Sequence, residues 1–145
     1  MSNLEIDPKE WLDAVDARWN EHDLEGAMEF FTPDATAEFV PPLPNAPTVY
    51  KGKDAILAVI QGILPGFQVE SYNHRLDDNR LIWKATASAD MFRRLGLDTV
   101  SANGEAILSL EDERTSSGRP RMQSFKITFT PETVSRMQAA MQAAR

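Results

Sequence analysis

Cysteine is absent from all 145 residues, which removes disulfides and thiol catalysis and fits a reducing compartment. Histidine is almost as scarce. His22 and His74 are the only two, and neither has an acidic neighbour at ligand spacing, so no metal motif is present and no metal or other cofactor is expected. Basic residues are outnumbered: 15 Lys and Arg against 22 Asp and Glu leave a formal charge of -7. A surface that tracks nucleic-acid phosphates needs clustered cations, so no nucleic-acid partner is expected; excess acid more commonly serves solubility. No run of about eighteen apolar residues exists to span a bilayer, so no membrane partner is expected. The opening MSNLEIDPKEW carries neither a basic region nor an apolar segment, which gives the expectation of a cytoplasmic protein.

An apolar content of 42% over 145 residues suits one globular domain, residues 1–145, around one core. Trp11, Leu12, Val15 and Trp19 recur at three- and four-residue steps and predict a helix from about Pro8 to Glu21. Asp7 can cap it, and Pro8 suits its first position, where a missing N–H is no loss. Asn20 to Asp23 break the period. Asp23 can cap a second helix whose apolar residues run to Phe31 and stop against Thr32 and Pro33. From Asp34 the period becomes two, with Ala35, Ala37 and Phe39 on one face of a strand.

This helix, elbow, helix and strand resembles the opening of the nuclear transport factor 2-like superfamily, and within it the SnoaL-like small-molecule branch. The residues that carry the likeness are Asn20, Asp23, Leu24, Gly26, Ala27, Phe31, Pro33, Asp34 and Ala35, with a weaker match at Tyr50 to Ala55. The resemblance implies an α+β cone: a half-barrel in which a curved, mostly antiparallel sheet of five to six strands wraps around three N-terminal helices, with an added C-terminal helix.

The remaining chain reads consistently with that plan. Val40 to Thr48 holds four of the nine prolines and is expected to be a rigid loop, placed by the resemblance at a pocket mouth. Ile56, Val59, Ile60 and Ile63 stripe a third helix that Pro65 and Gly66 stop. Phe67–Leu76 and Leu81–Asp90 predict a hairpin about Asp77 to Arg80. Met91–Leu97 is expected to form a single helical turn closed by Gly96. Thr99–Leu110 and Arg121–Phe129 predict a second hairpin, joined by EDERTSSGRP. Beyond Thr130 and Pro131, Val134, Met137 and Met141 mark a C-terminal helix.

A cone open at one end leaves a pocket, and three residues are candidates for chemistry there. Asp90 ends the uncharged stretch from Ala85 beside Met91 and Phe92; facing the cone, it would be desolvated into a usable acid or base. As an alternative it caps the next turn. His74 titrates near neutrality and could move protons if it faces the cavity; otherwise it is an exposed or interface strand residue. Glu105 is third, with a solvated face as its alternative. In the limonene epoxide hydrolases that the chain resembles, an Arg-x-Asp pair falls here and Asp90 matches its aspartate, but Ser88 replaces the arginine and no acid stands near Ser124 to Lys126. The aspartate and tyrosine of the steroid isomerases fall at about Phe39 and Val15.

Trp19, Phe39, Tyr50, Phe67, Trp83, Phe92 and Phe125 can converge on one cavity suited to a small hydrophobic ligand, or serve as plain core. Trp83 with Ala85, Ala87 and Ala89 makes a small-residue strand face, which suggests a homodimer through the outer side of the sheet. Two functions follow. One is a small-molecule enzyme using cofactor-independent acid/base chemistry on a cyclic or polyketide-like compound, as a cyclase, isomerase, dehydratase or epoxide-opening enzyme. The other is a non-catalytic module that binds a hydrophobic ligand or a protein.

Overall fold

The computed structural model describes residues 6–43, 46–109, 114–115 and 118–143. Helix α1, Pro8–Asn20, begins as its sequence requires: the Asp7 carboxylate accepts from the amides of Lys9 and Glu10, and Pro8 holds the first turn. It buries Trp11, Leu12, Val15 and Trp19. After the elbow, Asp23 caps α2, Leu24–Met28, through the Gly26 amide at 3.0 Å.

Helix α2 ends three residues earlier than its apolar period suggests. Phe31 opens strand β1, Phe31–Val40, by pairing with Met122, so tertiary pairing overrides local helix propensity. Pro33 then sits inside a strand, where the register with the neighbouring strand is broken between Phe31 and Thr36 and no ladder N–H is demanded of it. A three-residue strand, β2 at Val49–Lys51, follows the proline-rich segment and pairs with Thr36 to Glu38. Nothing in its sequence separates it from a loop. Pro44 and Asn45 of that segment lie outside the described residues, as do Leu110 and much of EDERTSSGRP.

Helix α3, Lys53–Ile63, buries Ile56 and Ile60. Strands β3, Gln68–Asp77, and β4, Arg80–Ser88, form the expected hairpin, with Asp78 at positive φ in its tight turn. A short helix α4, Asp90–Arg93, comes next; β5, Val100–Leu108, and β6, Met122–Phe129, make the second hairpin. Helix α5, Pro131–Ala143, buries Met137 but leaves Met141 exposed, so its apolar face is narrower than expected.

The six strands lie in the order β2-β1-β6-β5-β4-β3, antiparallel throughout except for β1 beside β6. The curved, unclosed sheet carries its apolar side chains toward the N-terminal helices. This is the predicted α+β cone. One face assignment is corrected. Trp83, Ala85 and Ala87 line the interior of the cone rather than its outside, because Trp83 lies opposite Gly104 and packs tilted against Phe125 at 6.1 Å. The indole rests on bare glycine backbone, since a Cβ at Gly104 would stand 2.2 Å from Trp83 Cε2. The outer face carries charge instead, with Arg80 paired to Glu105 at 2.6 Å.

Candidate functional site

Between helices and sheet lies a cavity of about 120 Å³, walled by α1, the end of α3 and the inward faces of β1, β3, β4, β5 and β6. Six of the seven expected aromatic residues line it: Trp19, Phe39, Phe67, Trp83, Phe92 and Phe125. Tyr50 does not. It is buried behind Phe39, edge to face at 6.0 Å, and serves the wall rather than the cavity. Val15 and Phe39, where the resemblance would have an isomerase's tyrosine and aspartate, line the cavity as apolar groups.

None of the three acid/base candidates is among the cavity-lining residues. Asp90 is the first residue of α4 and does not cap it; Ala89 holds the cap position, without a side-chain hydrogen bond. The Asp90 side chain is 47% exposed and ion-paired with Arg93 at 2.6 Å. The pair lies on Gly66, whose carbonyl accepts from Arg93 at 3.2 Å, while the Asp90 amide donates to the Pro65 carbonyl at 3.0 Å. Asp90 thus fastens the α3–β3 loop to α4. His74 is half-buried on β3 but does not line the cavity; Asn73 beside it has positive φ, and the register with β4 shifts by one residue between Tyr72 and Arg75. The inserted residue resets the alternation, so His74 shares a face with Val69 and Ser71, of which only the latter two line the cavity. Glu105 lies in its ion pair with Arg80, and the hydrogen bond from that guanidinium holds its carboxyl below the usual range.

The carboxylate that does line the cavity is Asp16, on α1, with Ser71 of β3 as its polar neighbour. Every other lining residue is apolar. Burial pushes the Asp16 carboxyl up to about 6; contacts from Ser71 pull it down more weakly, and the negative charge of Asp13 adds to the rise. Ser71 Oγ stands near that carboxylate without an aligned hydrogen bond and is buried with no partner of good geometry. A buried hydroxyl of this kind retains its bonding capacity for a molecule in the cavity. Asp16 was detectable in principle: Leu12, Asp16 and Trp19 fall at the i, i+4, i+7 positions of one helix face, which makes Asp16 a charge inside an apolar stripe.

Among the described residues there is no cluster of three or more His, Asp or Glu able to hold a metal ion, and no helix is long and apolar enough to cross a membrane.

Comparison with known proteins agrees with the architecture. No curated protein matches the sequence. A nuclear transport factor 2-like protein of unknown function from Cytophaga hutchinsonii superposes with a TM-score of 0.62 at 11% identity, covering 92% of this chain and 99% of that one. A protein of unknown function with a cystatin-like fold from Nostoc punctiforme gives 0.60 at 15% identity, covering 90% and 96%. A candidate polyketide cyclase from Sinorhizobium meliloti gives 0.56 at 18% identity, covering 80% and 91%. At these identities the likeness speaks for the fold. The SnoaL-like domain family itself matches residues 11–117, the span from Trp11 on α1 to the β5–β6 loop. This chain therefore belongs to the SnoaL-like domain family.

Proposed function

We propose that the protein is a small-molecule enzyme that moves a proton on a hydrophobic compound without a cofactor, with Asp16 as the acid/base group. The observation that carries the reading is a half-buried carboxylate that, among the described residues, has no cationic partner and is the one ionisable group lining an otherwise apolar cavity. A carboxyl titrating near 6 is largely ionised at neutral pH, yet basic enough to accept a proton from a weakly acidic carbon. In the proposed step the Asp16 carboxylate takes a C–H proton next to a carbonyl. The electron pair moves onto the carbonyl oxygen as an enolate, and the Ser71 hydroxyl donates to that oxygen. Return of the proton at the same or another carbon completes an isomerisation; attack by the enolate carbon on a second carbonyl of the same molecule closes a ring, the π pair of that carbonyl becoming an alkoxide that takes the proton back from Asp16. The candidate polyketide cyclase of the same fold is consistent with this chemistry class. A cavity of about 120 Å³ compares with the roughly 150 Å³ that accepts a benzene-sized molecule, so a single ring is the natural occupant.

Cyclohexanone in deuterated water is a direct probe. Exchange of its α-hydrogens, followed by proton NMR, is expected to exceed the buffer rate, to rise with pH through an inflection near 6, and to vanish in Asp16→Asn. Ring-proton shifts that show binding with no exchange above buffer would instead mark a non-catalytic binding module.

A further inference from the structure

We propose that Asn20 is a positioning residue for the site, acting as a one-residue substitute for a seventh strand that locks β3 to α1 in the register that sets Ser71 opposite Asp16. The inference rests on the reading of Asp16 given above. Strand β3 is an edge of the sheet, so half of its backbone groups have no strand to meet. The Asn20 amide meets two of them at one residue: Nδ2 donates to the Val69 carbonyl at 3.0 Å, and Oδ1 accepts from the Val69 amide at 2.7 Å. That reciprocal pair is what a neighbouring antiparallel strand would supply. Flanking contacts fasten the same seam. Gln68 Nε2 donates to the Asn20 carbonyl at 3.2 Å, and His22 Nε2 donates to the Phe67 carbonyl at 2.9 Å.

The consequence for the site is geometric. Asp16 lies four residues before Asn20 on α1, about 6 Å back along the axis at 1.5 Å per residue. Ser71 lies two residues beyond Val69, about 6.6 Å along the strand at 3.3 Å per residue, and on the same face. The two steps match, so clamping Asn20 to Val69 delivers Asp16 to Ser71. A slip of β3 by one residue would turn Ser71 outward and place Glu70 or Tyr72 at the cavity wall. The clamp also explains why Asn20 interrupts the apolar period of α1: its side chain is required for backbone pairing rather than for core packing.

The test uses the full-length protein with carbon-13-labelled aspartate and amide hydrogen exchange. In Asn20→Ala, exchange of the Val69 amide is expected to accelerate by about tenfold or more relative to the central-strand Ala106 amide, as one hydrogen bond is lost. The Asp16 carboxyl is expected to titrate below its wild-type midpoint, toward 3.8, as the seam opens to water, and cyclohexanone exchange is expected to fall in kcat. Asn20→Asp, which keeps the acceptor for the Val69 amide, should fall between the two, and it replaces Asn20→Ala should that variant not fold. Ile56→Val, a core change in α3 remote from the seam, should leave the Asp16 midpoint where it was. Val69 protection retained in Asn20→Ala, or an Asp16 midpoint that does not move, overturns the proposal. If wild-type Asp16 titrates as an ordinary carboxylate, the catalytic reading fails, while Val69 protection still decides the clamp.

Discussion

Two aspartates, one at the α1–β3 seam and one at the start of α4, show how differently the same side chain behaves in one small domain. Asp16 is half-buried against an apolar cavity, with Ser71 as its polar neighbour there. Asp90 is exposed, holds an arginine at 2.6 Å and ties down a loop. Read as sequence, Asp90 is the more chemical of the two, because it ends the uncharged stretch from Ala85 beside Met91 and Phe92. Asp16 looks like one more charge on a helix. The difference lies in what each faces. A carboxylate becomes a useful base near neutrality when water is withheld and no cation replaces it; Asp16 meets both conditions and Asp90 neither.

The comparison is broken most directly by exchanging each carboxylate for its amide. Asp16→Asn should lower the cyclohexanone exchange rate by roughly 10²- to 10⁴-fold, the usual contribution of a positioned acid or base. Asp90→Asn should leave it within about twofold, because no reacting group is touched. Equal losses in the two variants would dissolve the contrast.

Stability against pH gives the next largest effect. The folded-state pKa of Asp16 lies near 6, above its unfolded value of 3.8, so between these pH values the native state binds more protons than the unfolded one. Stability should therefore fall as pH rises from about 4 to above 6, by up to roughly 3 kcal/mol from this group alone. Asp16→Asn should abolish that slope and be more stable than wild type at pH 8. Urea denaturation across pH 4 to 8 measures it. An inactive variant that is also stabilised is the signature of a group held at a cost for function.

Gly104→Ala sharpens the comparison by altering the cavity without touching either aspartate. The new methyl would drive the Trp83 indole off its seat and into the cavity, destabilising by about 1–3 kcal/mol and weakening cyclohexanone binding. Proton NMR shift titration follows the binding. An unchanged affinity would place the ligand away from Trp83. The smallest effect belongs to Arg93→Ala, which removes an exposed ion pair and its contact to Gly66; thermal denaturation should show a loss of at most about 1 kcal/mol.

Much of the fold is legible in the sequence alone. The caps Asp7 and Asp23, the apolar stripe of α1, the hairpin turn at Asp78 and the alternation in β1 are local features, each set by residues within a turn or two of one another. What escaped depended on partners distant in sequence. Phe31 leaves α2 because Met122 pairs with it, and β2 exists because β1 offers it an edge. Trp83 points inward because Gly104 leaves room beneath it.

The same division holds for the site. Periodicity in the sequence determined that this chain forms a helix-covered curved sheet with an aromatic interior, since burying one face of each element is a local requirement that composition and spacing satisfy. Which ionisable group lies in that interior was decided only in three dimensions. Desolvation depends on everything that surrounds a carboxylate, and Asp16 on α1 shares its cavity with residues of β3 and the other strands, distant from it in sequence, where Asn20 and Val69 join α1 to β3.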